Sequence, residues 1–181
     1  MRLFILMTLT LFLMGCATHR LPELKPVAEV DLERFMGDWY VLAAIPTRIE
    51  RKSFNAVESY KLDTNGSIDT TFTFNKGGFD GPKKRYSPRG FVREGTGNAI
   101  WGMRFIWPIK ADYRIIDLGL DYRTVIIGRQ KRDYVWVMAR SPEVDDETWC
   151  RLERKVAVAG YDLALLRRVP HRRPAGEDDG S

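Results

Sequence analysis

The sequence predicts an all-β protein, an eight-stranded antiparallel up-and-down β-barrel with one C-terminal α-helix packed outside it. Three observations carry this prediction. Eight stretches rich in β-branched and aromatic residues follow one another through the middle of the chain, joined by short polar or glycine-containing links. One segment alone, near the C-terminus, has a convincing helical period. With two cysteines in 181 residues the fold must rest on its core, and a chain of this length can build one as a single domain.

The first residues set the compartment. Met1 and Arg2 precede an apolar run over 3–13, and Leu13-Met14-Gly15-Cys16 ends it. A basic start, a short apolar core and a small residue before the cut describe a secretory signal over 1–15. The run is shorter than the roughly 20 residues that cross a bilayer. Leu13-Met14-Gly15-Cys16 resembles the bacterial lipobox, which implies that Cys16 is acylated and anchors the mature chain to a membrane. Ala17 follows the cysteine, and by resemblance to enterobacterial lipoproteins this favours the outer membrane, periplasmic face. Acylation of Cys16 leaves Cys150 without a disulfide partner. The 29 basic and 24 acidic residues are dispersed, and an exported chain of this kind is not expected to bind nucleic acid.

Residues 16–30 contain Pro22 and Pro26 and little periodicity, and they read as a tether. Asp31 opens a single helical turn as its N-cap. Strands are expected at 39–45, 54–62, 67–75, 84–93, 99–107, 113–118, 122–130 and 134–140. Asn65-Gly66 marks the hairpin between the second and third. Residues 142–159 form the helix, acidic at its start and closed by Gly160, with Trp149, Leu152, Val156 and Ala159 as its apolar stripe. Residues 161–166 suit a last short strand. The end, 169–181, is rich in proline, glycine and charge and reads as a disordered tail. Barrel closure would remove exposed strand edges, and eight strands leave room for one small ligand. An immunoglobulin-like sandwich is the structural rival, but an appended amphipathic helix would be unusual there.

Three motifs in order resemble the lipocalin family and, within it, the bacterial outer-membrane lipoprotein branch. Gly37-Asp38-Trp39-Tyr40 matches the Gly-x-Trp signature at entry to the first strand. Leu120-Asp121-Tyr122-Arg123 lies where the family often has a Thr-Asp-Tyr triplet, with leucine in place of threonine. Asp133 to Pro142 matches the eighth strand and its closing arginine, Arg140. The resemblance covers about 30–168 and implies a lipocalin calyx. In that calyx Trp39 and Arg140 close the narrow end by a cation–π contact, and Gly37 allows the tight turn into the strand. These three are structural and not ligand contacts.

Alternation along the strands then nominates an inner wall. Val41, Ala43 and Ile45 share a face with Trp39. Ile68, Phe72 and Phe74 share one in the third strand, and Trp101, Met103, Phe105 and Trp107 in the fifth. Tyr113 and Ile115 join from the sixth, Trp136 and Met138 from the eighth. The resulting wall is aromatic, methionine-bearing and nearly free of charge, which suits an acyl chain. Lys76, Lys83, Lys84, Arg85 and Lys110 are candidates to meet a head group at the rim. The expected ligand is an amphipathic lipid, a lysophospholipid or a fatty acid, stored or transported for membrane maintenance. The alternatives are a packed, ligand-free barrel that acts as an envelope scaffold, and an enzyme, for which no residues nominate themselves. No metal-ligand spacing, cofactor motif or nucleophile elbow occurs. His19 and His171 fall in the tether and tail, and Cys150 reads as a buried, inert thiol. Bacterial relatives also allow a homodimer with a shared apolar groove.

Overall fold

The computed structural model describes residues 21–172; the expected leader, Cys16 and residues 173–181 lie outside the described residues. The one-turn helix α1 (Leu32–Phe35) is opened by Asp31, whose carboxylate accepts from the Arg34 N–H at 3.2 Å. The strands follow as β1 (Gly37–Ile45), β2 (Ser53–Leu62), β3 (Ser67–Lys76), β4 (Lys83–Tyr86), β5 (Arg89–Val92), β6 (Ile100–Ile106), β7 (Ile109–Leu118), β8 (Thr124–Gly128) and β9 (Val135–Ala139). Every neighbouring pair is antiparallel, and β9 pairs back onto β1 to close the sheet. β4 and β5 both pair with β3 and together serve as one barrel strand, so the barrel has eight. The expected continuous strand over 84–93 is broken at Ser87 and Pro88. Proline has no N–H for the ladder, and its carbonyl is reused as acceptor for Thr70 N at 3.1 Å.

The helix α2 (Asp146–Val158) begins later than expected, after Asp145 caps it by accepting from Thr148 N at 2.7 Å. It buries Trp149, Leu152 and Val156 against Leu42, Ala43, Ile126, Val135 and Val137 on the outside of the barrel. Such burial is worth about 1.5–3 kcal/mol for each large aliphatic chain. Cys150 is exposed, contrary to the expected buried thiol. One helical step of about 100° carries it off the stripe that Trp149 begins.

β1 contains a bulge: its register with β9 shifts between Val41 and Ala43. Val41 and Ala44 therefore join the inner core, while Leu42, Ala43 and Ile45 face the helix side. Strict alternation, which placed Ala43 and Ile45 inside, fails at that point.

Both flanking segments pack more than their composition suggests. Leu24 and Val30 are buried, and Val27 N–H donates to Ile115 O at 2.9 Å. The expected tether is thus, from residue 21 onward, a strap on the barrel. At the other end residues 163–165 form a 3₁₀ turn where a strand was expected, and β10 (Arg167–Arg168) pairs with Ala43 and Ala44. Val169 N–H donates to Leu42 O at 2.9 Å, and His171 Nε2 lies 2.9 Å from Val41 O. The chain is held as far as Arg172, so the tail expected from 169 starts too early. The reason lies in β1, which pairs with β2 only over Gly37 to Tyr40 and leaves its next residues to the C-terminal segment.

Candidate functional site: the barrel cavity

The barrel is closed at one end by rings. Phe35 lies 5.1 Å from Trp39, 5.4 Å from Tyr60 and 5.4 Å from Trp101, centroid to centroid, and Tyr113 stacks on Trp101 at 5.3 Å. All five are buried. Their polar atoms are served: Trp39 Nε1 donates to Phe35 O at 2.9 Å, Trp101 Nε1 to Asn98 O at 2.6 Å, and the Tyr60 and Tyr113 hydroxyls pair with each other. Beneath them the Arg140 guanidinium sits 3.8 Å from the Trp39 ring centroid. It donates to the carbonyls of Asp38, Arg34, Phe35 and Met36 at 2.8–3.0 Å. Gly37 enters β1 at φ +92°, and a Cβ there would stand 3.4 Å from Arg140 Nη1.

Above this floor the barrel opens into a cavity of about 600 Å³, within the roughly 300–1,000 Å³ of small-molecule sites. Phe72, Tyr86, Met103, Tyr113, Tyr134 and Trp136 supply its walls. Ile49, Phe105 and Ile106 line its mouth and are also exposed to solvent. The β6–β7 hairpin tip continues this apolar rim, with Trp107 78% and Ile109 69% exposed. A concavity of similar size lies outside the barrel, between residues 21–25 and the end of α2, but no aromatic residue lines it.

Three carboxyl groups line the cavity, Glu50, Glu58 and Asp112, where the sequence predicts a nearly uncharged wall. Glu58, 8% exposed, lies across from Trp39 on β1 and Phe72 on β3. Burial pushes its pKa up to about 7, against a hydrogen bond from Tyr60 that lowers it and a contribution from Glu50 that raises it further. Glu50, in the β1–β2 connection, accepts from Thr47 N at 3.0 Å and Trp136 Nε1 at 3.3 Å; burial raises its pKa as well. The same proton-holding floor raises Tyr60 and Tyr113 well above the usual tyrosine value, first through burial and then through the Glu58 charge. Asp112 on the same lining is held by Arg114 at 3.0 Å and Gln130 N at 2.7 Å, and Arg129 Nη1 pairs with Asp133 at 3.2 Å while its buried Nε has no hydrogen-bond partner among the described residues. Neither Glu50 nor Glu58 has an ion-pair partner among the described residues, and Arg48 stands exposed at the rim.

The residues nominated from sequence divide between floor and cavity. Phe72, Met103, Phe105, Tyr113 and Trp136 line the cavity. Val41, Ile68, Phe74, Trp101, Ile115 and Met138 are buried in the inner core and do not line it. Trp107 points away into solvent, because the β6–β7 register shifts between Met103 and Ile106 and ends the alternation. Lys76, Lys83, Lys84, Arg85 and Lys110 do not line the cavity; Lys110 Nζ lies 4.1 Å over the Phe91 ring instead. Sequence reasoning missed Glu50 and Glu58. Glu58 was findable, since it shares the period-two face of Ala56 and Tyr60. Among the described residues no group of His, Cys, Asp and Glu is placed to hold a metal ion.

Comparison with known proteins settles the family. The model of the lipocalin-like domain matches residues 30–171. The chain belongs to the lipocalin-like family. It is 29% identical to temperature-induced lipocalin-1 of Arabidopsis thaliana over 162 residues, covering 82% of this chain and 83% of the relative. It is 26% identical to the outer membrane lipoprotein Blc of Escherichia coli strain K12 over 168 residues, covering 87% and 89%. Among solved structures, insecticyanin from the tobacco hornworm Manduca sexta superposes with a TM-score of 0.67 at 15% identity, covering 84% of this chain and 86% of that one. At that identity the likeness is one of fold, the closed eight-stranded barrel.

Proposed function

We propose that this lipocalin is a membrane-anchored carrier or store for amphipathic lipids, single-chain lysophospholipids or fatty acids, in the bacterial envelope. The observation that carries the reading is the aromatic cavity of about 600 Å³, open at one end of an otherwise packed barrel. Membership of the family supports a small hydrophobic ligand. Exposed Phe105, Ile106, Trp107 and Ile109 beside the mouth suit contact with a lipid surface, where Trp and flanking cations are favoured. The lipobox-like Leu13-Met14-Gly15-Cys16 supports acylation at Cys16 and export of the chain, and relatives named outer membrane lipoproteins support that membrane as the address. Family membership supports binding as the role.

The test is native mass spectrometry of the soluble form that begins after Cys16, followed by lipid extraction of the same sample. A copurified amphiphile that added lysophospholipid displaces is the expected result. A protein that is empty and also ignores added single-chain amphiphiles would overturn the carrier and favour a scaffold role.

A further inference from the structure

The polarity of the cavity runs opposite to what a tail-first ligand needs. Its deep end holds the Glu58 carboxyl and, beside it, the paired hydroxyls of Tyr60 and Tyr113. Its outer end carries large apolar side chains beside the exposed Arg48: Ile49, Phe105 and Ile106 line the mouth, and Ile109 extends it into solvent. An acyl tail pushed to the floor would leave a buried carboxyl facing methylenes, and the apolar rim would then surround a polar head. The reverse orientation satisfies both ends.

We propose that the calyx takes its amphiphile head first, with a protonated nitrogen of the ligand against Glu58 and the hydrocarbon chain leaving across Phe105, Ile106 and Ile109. This rests on the carrier reading and narrows it to ligands that bear an ammonium group. Three features of the cavity lining share one sign. Glu58 has no cation paired to it among the described residues, Glu50 adds a second unpaired carboxyl on the same lining, and the faces of Tyr113 and Trp136 attract cations. Arg129 on the lining pairs with Asp133 through Nη1 and lies over the Tyr134 ring at 5.2 Å, which leaves its Nε as the one buried cationic donor without a partner among the described residues of the lining. Arg48 is exposed, so beyond the single Arg129 Nε an anionic group finds a cation at the rim. A charge-assisted hydrogen bond in a water-poor site is among the strong ones, which makes the nitrogen the decisive group.

The experiment compares three ligands of one chain length on the soluble form that begins after Cys16: dodecylammonium, dodecanol and dodecyl sulfate, each below its micelle concentration, followed by tryptophan fluorescence. Dodecylammonium is expected to bind about tenfold or more tighter than dodecyl sulfate, the smaller effect expected of one charged hydrogen bond. Glu58→Gln should bring the two close together while dodecanol still binds, and the dodecanol signal reports that the variant still has its cavity. A second measurement needs no change in the interior. The ammonium ligand brominated at its terminal carbon should quench Trp107, so that Trp107→Phe removes most of the quenching.

Dodecanol binding without preference for the ammonium would overturn the head-first orientation and leave the carrier standing. So would quenching that survives in Trp107→Phe, or a preference that survives Glu58→Gln. Failure of all three ligands to bind would overturn both readings together.

Discussion

At the closed end of the barrel Phe35, Trp39, Tyr60, Trp101 and Tyr113 pack ring on ring, buried and with their indole and hydroxyl groups hydrogen-bonded. At the open end the strands carry residues just as apolar, Phe105, Ile106, Trp107 and Ile109, and leave them in water. Composition does not separate these regions. What separates them is how far neighbours from the facing strands cover a side chain, and at the β6–β7 tip these four stay more than half exposed. Large side chains at the closed end are accounted for by stability. Those at the open end contribute little to the fold, and contiguous exposed apolar surface in such a place marks a binding function.

The comparison is broken most forcefully at Trp39. Trp39→Ala removes a fully buried indole from the centre of the ring cluster, together with the cation–π contact of Arg140. The expected loss is about 3–5 kcal/mol of unfolding free energy, read from the midpoint of urea denaturation. A loss under 1 kcal/mol would show that the closed end is not the stabilising half.

Glu58 stands at the boundary of the two regions, and its effect depends on pH. Its folded pKa, about 7, is raised from an unfolded value near 4.5. The neutral acid is the form the fold prefers, so the contribution is fully present below pH 4.5 and is lost as pH rises through about 7. The wild type should therefore lose on the order of 3 kcal/mol across that window through this residue. Glu58→Gln removes this part of the dependence. Urea midpoints at pH 5 and pH 8 are the check: the variant should match the wild type at the lower pH and exceed it at the higher. Glu50 moves in the same direction and leaves a smaller slope in the variant.

Arg140→Met keeps a flexible chain over Trp39 but withdraws the guanidinium donors from the carbonyls of residues 34, 35, 36 and 38. Those carbonyls lie partly in reach of water, so the expected cost is about 2 kcal/mol, at the level of a charged hydrogen bond. Thermal unfolding should show it, and occupancy of the cavity by dodecanol should be unchanged because Arg140 does not line it.

How much of this was legible beforehand depended on local regularity. Ile68, Thr70, Phe72 and Phe74 alternate inward in β3 as the sequence reads, since no bulge interrupts them. The bulges after Val41 and Met103 leave no signature in residue type, and each one turned a parity argument wrong beyond it, for Ala43 and Ile45 and for Trp107. The docking of residues 167–172 along β1 was hidden for another reason: it depends on β2 diverging after Tyr40, which is a property of the closed barrel. The seal of Trp39 and Arg140 followed from the family motif. Glu58 is legible in the alternation of β2 as an acid on the inward face, between Ala56 and Tyr60.

Trp107 gives the smallest effect on the fold and the sharpest contrast with Trp39. It is 78% exposed and donates no hydrogen bond among the described residues. Trp107→Ala should shift stability by no more than about 0.5 kcal/mol, as for other surface positions. If the rim meets lipid, the cost appears elsewhere: the substitution should lower partition of the soluble barrel onto anionic phosphatidylglycerol vesicles by about tenfold, the equivalent of burying part of one indole. Co-sedimentation measures this directly. Unchanged stability with unchanged partition would leave the hairpin without a role at a membrane. Unchanged stability with reduced partition would mean that two tryptophans of one barrel are kept for different reasons, one for the core it fills and one for the surface it reaches.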